Sequence, residues 1–288
     1  MSIERCIYRS YNPNRKPSHP WPSWHNHTGS YPRFSFCPTA GLSIARYERE
    51  LRENPDVWEC FAITDHAFSI AIPDPSKCWP HNWYEDESIP DFFRETGATA
   101  SRIKSYRDFC KSFSDGNNFF SGIEIEVNLN GRMALTAEEM DGYDLIVGSI
   151  HHNPGAPEDW VERHFFQFKR ALSLPCDIIG HPIRHMNAHS SKENPLPREL
   201  IDETLDLVKE AVVAIEINAH YQQLHDNVLL LQGAYERDIE IAFSMDLHYP
   251  EEFGNWRYFE DVVELSEIRY SDLKLFKPKR RASPGEIS

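Results

Sequence analysis

An α/β fold, with strands and helices alternating along the chain and the strands running parallel, is what this sequence predicts. Three observations carry the expectation. Seven short apolar or β-branched segments recur, each ending in polar residues. Most are followed by a stretch whose apolar residues have helical spacing, several opened by a proline of the kind that suits a first helical turn. The 14 histidines collect disproportionately where the apolar segments stop.

In chain order, the first strand is expected around Trp24 to His27, where propensity alone is weak, and Thr39 to Glu53 follows as a helix. Cys60 to Thr64 (CFAIT) is the second strand and Pro90 to Phe113 the next helix. Asn118 to Val127 (NFFSGIEIEV) is the third strand, with Asn130-Gly131 as the tight turn of a small hairpin behind it. Asp144 to Ile150 (DLIVGSI) leads to a helix over Pro157 to Leu172, and Asp177 to Gly180 (DIIG) to a helix over Pro197 to Lys209. Val212 to Asn218 (VVAIEIN), a helix over Gln223 to Arg237, and Ile239 to Ser244 (IEIAFS) complete the series. Prolines cluster before Pro38 and between Pro73 and Pro90, which reads as long irregular loops over one face. The aromatics Trp79, Trp83, Tyr84, Phe92 and Phe93, in and just after the second of these, are read as packing residues rather than a lid. Residues 1–276 form one expected domain, and 277–288 (KPKRRASPGEIS) a loose tail.

Composition narrows the function classes. A chain of 288 residues, 40% hydrophobic and 26% charged, is long enough to bury a substantial core. Its 45 acidic residues against 30 Lys and Arg leave a net charge of −15, which repels polyphosphate chains and disfavours a dedicated nucleic-acid binder. The apolar runs fall far short of the ~20 residues of a membrane helix, and the N-terminal segment lacks the apolar stretch of a signal peptide. A cytoplasmic protein without a membrane partner is the expectation. The six cysteines are scattered with no CxxC pair, as suits reduced thiols.

The strand ends hold the chemistry. They carry His25 and His27, Asp65 and His66, Glu124, His151, His181, Glu216 and Asn218, and Asp246 and His248. If the strands close into a parallel barrel, their C-terminal ends share one face, and these residues meet in one pocket. Residues i and i+2 on a strand point the same way, so His25 with His27, and Asp246 with His248, can face one interior. Neutral imidazoles and carboxylates suit Zn, Mn or Fe, and a carboxylate can bridge two such ions.

The motifs HNHT (His25 to Thr28), ITDH (Ile63 to His66), GIEIE (Gly122 to Glu126), GSIHH (Gly148 to His152), IIGHP (Ile178 to Pro182), IEIN (Ile215 to Asn218) and MDLH (Met245 to His248) together resemble the PHP (polymerase and histidinol phosphatase) family of metal-dependent phosphoesterases. They occur in that family's order across residues 22–250 and look most like its histidinol-phosphatase branch. The resemblance implies a distorted seven-stranded TIM-like (β/α)7 barrel with two or three divalent metal ions in its mouth. By position it implies that His25, His27, Glu124 and Asp246 bind one ion, that Glu124 bridges to a second completed by His151 and His181, and that His66 and His248 hold a third. The sequence departs from the pattern in two places. Gly29 to Phe36 lacks the Asp or His that would complete the third site, and Ser23 stands where an Asp usually precedes the first His.

The reaction so implied is hydrolysis of a phosphate monoester of a small metabolite, histidinol phosphate first among candidates, by a metal-bridging hydroxide. Asp246 would orient the attacking water and His248 could serve the leaving oxygen. Arg184, three residues after His181, is the expected phosphate-binding cation, with Arg33 a further one, and Asn218 and His220 would line the substrate pocket. The alternatives are a phosphodiesterase or exonuclease acting on nucleotides or oligonucleotides, a C–N hydrolase of the amidohydrolase type, and a non-catalytic metal-binding barrel. No lysine stands at a strand end to serve the amidohydrolase chemistry.

Overall fold

The computed structural model describes residues 7–9, 14–28, 41–74, 88–114, 118–128, 130–151, 159–187, 196–220 and 223–278. Seven strands lie side by side in chain order: β1 (Trp21–Ser23), β2 (Trp58–Ile63), β3 (Phe119–Glu126), β4 (Leu145–Ser149), β5 (Ile178–Ile179), β6 (Ala214–Asn218) and β7 (Ile241–Ser244). Every neighbouring pair is parallel. The last strand also meets the first: Trp24 N–H donates to Phe243 O at 3.2 Å, Asp246 N–H donates to His25 O at 2.8 Å, and Asn26 bridges Leu247. The sheet is a nearly closed barrel.

The helices lie between the strands in sequence: α1 (Ile44–Glu53), α2 (Ala67–Ala71), α3 (Ser88–Glu95), α4 (Ala98–Lys111), α5 (Ala137–Met140), α6 (Trp160–Leu172), α7 (Arg184–Asn187), α8 (Arg198–Ala211), α9 (Leu224–Glu236) and α10 (Trp256–Ser266). None is long and apolar enough to cross a membrane. Strands wrapped by helices are buried on both faces, so β3 is buried along its whole length instead of alternating. The alternation survives as a division between two cores. Phe61, Ile63, Ile215, Ile217, Ile241 and Phe243 pack outward with Tyr47, Phe168, Leu205, Leu231 and Phe259 of the helices. Their neighbours Cys60, Ala62, Phe120, Leu145, Val147, Ile178, Ala214 and Ala242 form a separate cluster filling the barrel. Continuing that inward series toward the strand ends gives Glu124, Glu126, Ser149, His151, Glu216, Asn218 and Asp246. The interior is tight along the way: a Cβ on Gly180 would lie 2.8 Å from Val147 Cγ1 and 2.9 Å from Ser149 Oγ.

Three sequence expectations are corrected. The helix expected over Pro90 to Phe113 is two, α3 and α4, because Gly97 takes a left-handed φ of 74° at the break. The first strand is Trp21–Ser23 and not Trp24 to His27; the HNH segment lies beyond it, at the barrel mouth. Helix α10 was not anticipated. It follows a 3-10 turn over Pro250–Asn255, and its Glu260 accepts from Trp21 Nε1 at 3.0 Å, tying the chain's end to β1. The hairpin turn is present, with Val127 bridging Met133 and Gly131 at a φ of 79°. Cys60, Cys110 and Cys176 are free thiols. Phe93, partly buried, packs on a further cluster that includes Phe68, Ile103, Ile123 and Ile125, whereas Phe92 is exposed, against the packing expected of it. Arg33, Trp79, Trp83, Tyr84 and the tail from 279 onward lie outside the described residues.

Two stability predictions arise from this architecture. Val212 caps α8 at a left-handed φ of 57° while 89% exposed, a conformation that a β-branched residue adopts at a cost and glycine does not. Val212→Gly is expected to stabilise the fold by about 1 kcal/mol, read as a higher midpoint in urea unfolding. His164 on α6 is buried against Phe168, and desolvation lowers its pKa from 6.5 to about 4. Between those values the unfolded chain takes up a proton that the folded chain refuses, so stability falls as pH drops below 6.5. From pH 7 to 5, His164→Leu should lose less stability than the parent, the gap being on the order of 2 kcal/mol. Parallel pH profiles would assign acid sensitivity to other groups.

Candidate metal centre

The segment His25 to Thr28 is held at the mouth by its own non-ligand residues. Asn26 points its amide into the barrel wall, donating to Ser23 O and Ala62 O, both at 2.9 Å. Thr28 donates to both oxygens of Asp65, N–H to Oδ1 at 2.8 Å and Oγ to Oδ2 at 2.9 Å, which locks the first strand end to the second. Tyr47 of α1 donates its hydroxyl to His27 O at 2.7 Å. With the backbone so fixed, His25 and His27 send their side chains the same way.

Glu124 stands at the centre, fully buried, with its two oxygens facing different partners. Oε1 is 3.1 Å from His151 Nε2 and 3.2 Å from His181 Nε2, and accepts from Ser149 Oγ at 2.5 Å. Oε2 faces His25 Nε2 at 3.3 Å, His27 Nε2 at 3.7 Å and His66 Nδ1 at 2.6 Å. Asp246 completes the first group, its Oδ1 lying 3.1 Å from His27 Nε2 and 3.8 Å from His25 Nε2. His248 lies beyond, its ring 4.7 Å from that of His27, and His27 stacks on His66 at 4.4 Å. All eight residues expected to ligate metal are brought to one place.

Two of them bend the backbone to get there. Asp246 has φ 52° and His181 φ 28°, in or near the left-handed region that side-chain-bearing residues rarely enter. At Asp246 this turn lets the carboxylate and, two residues on, His248 both aim at the mouth.

Behind the ligands sits a second set of carboxylates. Glu216 accepts from His25 Nδ1 at 2.9 Å with Oε1, and from His181 N–H at 2.5 Å and Asn218 Nδ2 at 3.0 Å with Oε2. Asn218 also donates to Asp246 Oδ2 at 3.2 Å, so it braces two acids from within. Sequence reasoning gave Glu126 no role, yet its Oε1 is 2.8 Å from His66 Nδ1 and 3.2 Å from His151 Nδ1. Its signal was there to read, since it stands two residues after Glu124 on the same strand face. Glu252, also missed, accepts from His220 Nδ1 at 2.6 Å and from the backbone of His248 and Tyr249. No pattern in the sequence pointed to it, because the 3-10 turn that carries it was not expected. Arg184 opens α7, half-buried next to His181, and its positive charge helps to lower the pKa of His181 and His185.

The electrostatics favour ligand protonation states. Burial alone would push the carboxyl of Glu124 up, but His66, His151 and His25 hold it well below the usual range; Asp246 is held down likewise by His25 and His248. Burial and neighbouring imidazoles keep His27 near a pKa of about 4 and His248 well below its ordinary value. Anionic carboxylates and neutral imidazoles are the metal-binding forms. His25 is the exception: burial opposes its protonation, yet Glu124, Asp246 and Glu216 together pull its pKa well up. A proton there balances negative charge that a cation would balance better.

The donor set fits divalent metal. Glu124, Glu126, Glu216 and Asp246 are all buried, and their charged partners among the described residues are histidines only. So much buried negative charge is costly without a cation. His25 Nε2 and Glu124 Oε2, aimed at each other, are buried without a hydrogen bond. Overlapping groups of potential ligand atoms, each within 4.8 Å, include His25, His27 and Glu124; His25, His181 and Asp246; His66, Glu124, Glu126 and His151; and His27, His66 and His248.

The chain resembles known proteins in sequence and in fold. The chain is 23% identical over 194 residues to the DNA polymerase/3'-5' exonuclease PolX of Bacillus subtilis (strain 168), a match covering 64% of this chain and 32% of that protein. It therefore spans about a third of that relative's length. Among solved structures, histidinol phosphate phosphatase (HISK) from Lactococcus lactis subsp. lactis Il1403, complexed with Zn, L-histidinol and phosphate, superposes with a TM-score of 0.56 over 88% of this chain and 95% of that one. At 15% identity this is a likeness of fold. The PHP domain profile matches residues 56–220, more than half of the chain. The chain belongs to the PHP domain family of metal-dependent phosphoesterases.

Proposed function

We propose that the protein hydrolyses phosphate monoesters of a small metabolite, with histidinol phosphate the first candidate. The observation that carries this reading is the buried Glu124 carboxylate, one oxygen toward His151 and His181 and the other toward His25 and His27. That is the arrangement of a carboxylate shared by two ions. Divalent ions held there would supply Lewis acidity to phosphoryl oxygens and to water.

The chain's own residues have separable tasks. His25, His27, Glu124 and Asp246 would hold one ion, with His151, His181 and Glu124 holding the other. Asn218, by occupying Asp246 Oδ2, leaves Oδ1 turned to the histidines and to any water between them. Arg184 would offer its guanidinium to phosphate oxygens, where a planar fork gives both charge and orientation. His248, whose side chain is 13% exposed while the other ligands are more deeply covered, would line the open side of the site from which the leaving oxygen departs. Support for a small, partly cationic substrate comes from the net charge of −15 and from the fold neighbour's histidinol and phosphate.

A second reading, phosphodiester cleavage, draws on the PolX match, whose name includes an exonuclease. The test is metal content of the purified protein together with phosphate release from histidinol phosphate, nucleotides and an aryl phosphate diester. Two or more ions with monoester turnover is the expected outcome; turnover of the diester alone would move the assignment to the second reading. Arg184→Ala should raise KM for the monoester ~10²-fold or more with metal content unchanged, as loss of a charged hydrogen-bond pair to substrate requires. An unchanged KM would place phosphate recognition elsewhere.

A further inference from the structure

Asp65 is wholly buried just past the end of β2. Its main chain is fixed on two sides: the N–H donates to Tyr106 Oη of α4 at 3.2 Å, and the carbonyl accepts from Glu124 N–H, also at 3.2 Å. Tyr106 Oη in turn donates to Gly122 O at 3.2 Å, so one hydroxyl pins β3 to the same point. The side chain is fixed as well, Oδ1 accepting from Thr28 N–H at 2.8 Å and Oδ2 from Thr28 Oγ at 2.9 Å. Each oxygen of an ionised carboxylate accepts more than one hydrogen bond, so Thr28 leaves acceptor capacity on Oδ1.

On that side Oδ1 faces His27 Nδ1 at 3.8 Å. This nitrogen is buried and makes no hydrogen bond, while Nε2 of the same ring faces Asp246 Oδ1 at 3.1 Å and Glu124 Oε2 at 3.7 Å. A neutral imidazole carries one proton on two nitrogens. The nitrogen that donates to a carboxylate bears it, whereas the nitrogen that binds a divalent ion must present a lone pair. With the proton on Nε2, Nδ1 and Asp65 Oδ1 are two acceptors, and their separation of 3.8 Å is what two acceptors keep. With an ion at Nε2 the proton has to sit on Nδ1, where a buried N–H needs an acceptor. The gap exceeds an N–H···O hydrogen bond by about 1 Å, a distance that a small turn of the ring closes.

We propose that Asp65 is a positioning residue for His27: its carboxylate receives the Nδ1 proton and fixes the ring in the tautomer whose Nε2 lone pair meets the ion. Through Thr28 the same carboxylate holds the backbone beside that histidine, and through its carbonyl it holds Glu124 in register with both. This rests on the reading in which His27 is a ligand of the first ion. Ion binding then carries a change of tautomer, one proton leaving Nε2 to solvent and one arriving at Nδ1 from solvent, with the ring neutral before and after.

The experiment separates the lock on Thr28 from the acceptor for His27. Asp65→Asn keeps an oxygen for Thr28 N–H and an amide that donates to Thr28 Oγ, so the lock survives while the acceptor loses its charge. Zn²⁺ affinity of parent and variant is measured by competition against a chelator of known affinity. The imidazole nitrogens are read by NMR on protein carrying ¹⁵N-histidine, with and without Zn²⁺, the His27 signals being those missing from His27→Gln. Asp65→Asn should bind Zn²⁺ about 10-fold more weakly or worse, the size of effect expected for an orienting carboxylate. In the parent, which needs no variant to fold, the His27 proton should lie on Nε2 in the apoprotein and on Nδ1 in the Zn²⁺ form. Equal affinities for parent and Asp65→Asn, with His27 Nε2 still shifted by Zn²⁺, overturn the inference and leave His27 as a ligand. A parent whose His27 nitrogens do not respond to Zn²⁺ overturns the ligand reading and the inference together.

Discussion

Glu124→Ala is expected to yield a folded barrel that retains neither of the two central ions and turns over phosphate esters at least ~10³-fold more slowly. The size follows from the geometry. Among the described residues Glu124 is the one side chain whose two oxygens face separate sets of histidines, Oε1 toward His151 and His181 and Oε2 toward His25, His27 and His66. Replacing it by alanine removes a ligand from both sites at once. Metal content by elemental analysis and initial rates on a monoester give two independent readouts. A third is thermal: ions that bind only the folded state raise its stability by mass action, so a chelator should lower Tm of the parent and leave Glu124→Ala unmoved. Full metal content with near-normal turnover in the variant would remove Glu124 from the centre of the assignment.

Glu216→Ala should weaken metal binding 10- to 100-fold without deleting any ligand. Glu216 fixes His25 through Nδ1, His181 through its backbone N–H, and Asn218, which in turn braces Asp246. The variant leaves the His25 ring free to rotate and to change tautomer. It also leaves the His181 backbone, held at a φ of 28°, without its acceptor. Glu216→Gln keeps an oxygen that can accept from one of these donors and should recover part of the affinity, which a purely electrostatic role would not allow. Competition against a chelator of known affinity reads the difference. Equal affinities for parent and Glu216→Ala would mean that barrel packing alone orients His25.

Much of the site was legible because its signal is local. His25-x-His27 and Asp246-x-His248 carry the two-residue interval of extended chain in the sequence, while in the structure both pairs lie past their strand ends and Asp246 turns to a left-handed φ of 52°. The apolar segments that precede them identify themselves by composition. At the first strand composition points past the true element: Trp21–Ser23 pairs with β2 and the histidines lie past its end. The single helix expected over Pro90 to Phe113 failed because one glycine can adopt a φ that ends a helix, and nothing in the flanking periodicity reveals that it does so.

The sequence by itself determined the alternating α/β architecture, the residue types at the strand ends and hence the class of metal chemistry, because these depend on composition and on periods of two and 3.6 residues. The tertiary structure decided which nitrogen of each histidine faces inward. His25 and the Glu216 that holds its Nδ1 are 191 residues apart, and they meet only because the barrel curls until β7 lies against β1. His220 found its partner through a 3-10 turn that no periodicity announces, and Asp246 reaches the mouth through a left-handed backbone that the surrounding packing holds in place. Contacts of this kind are set by closure of the whole barrel, a global condition satisfied by all strands together and written in no one of them.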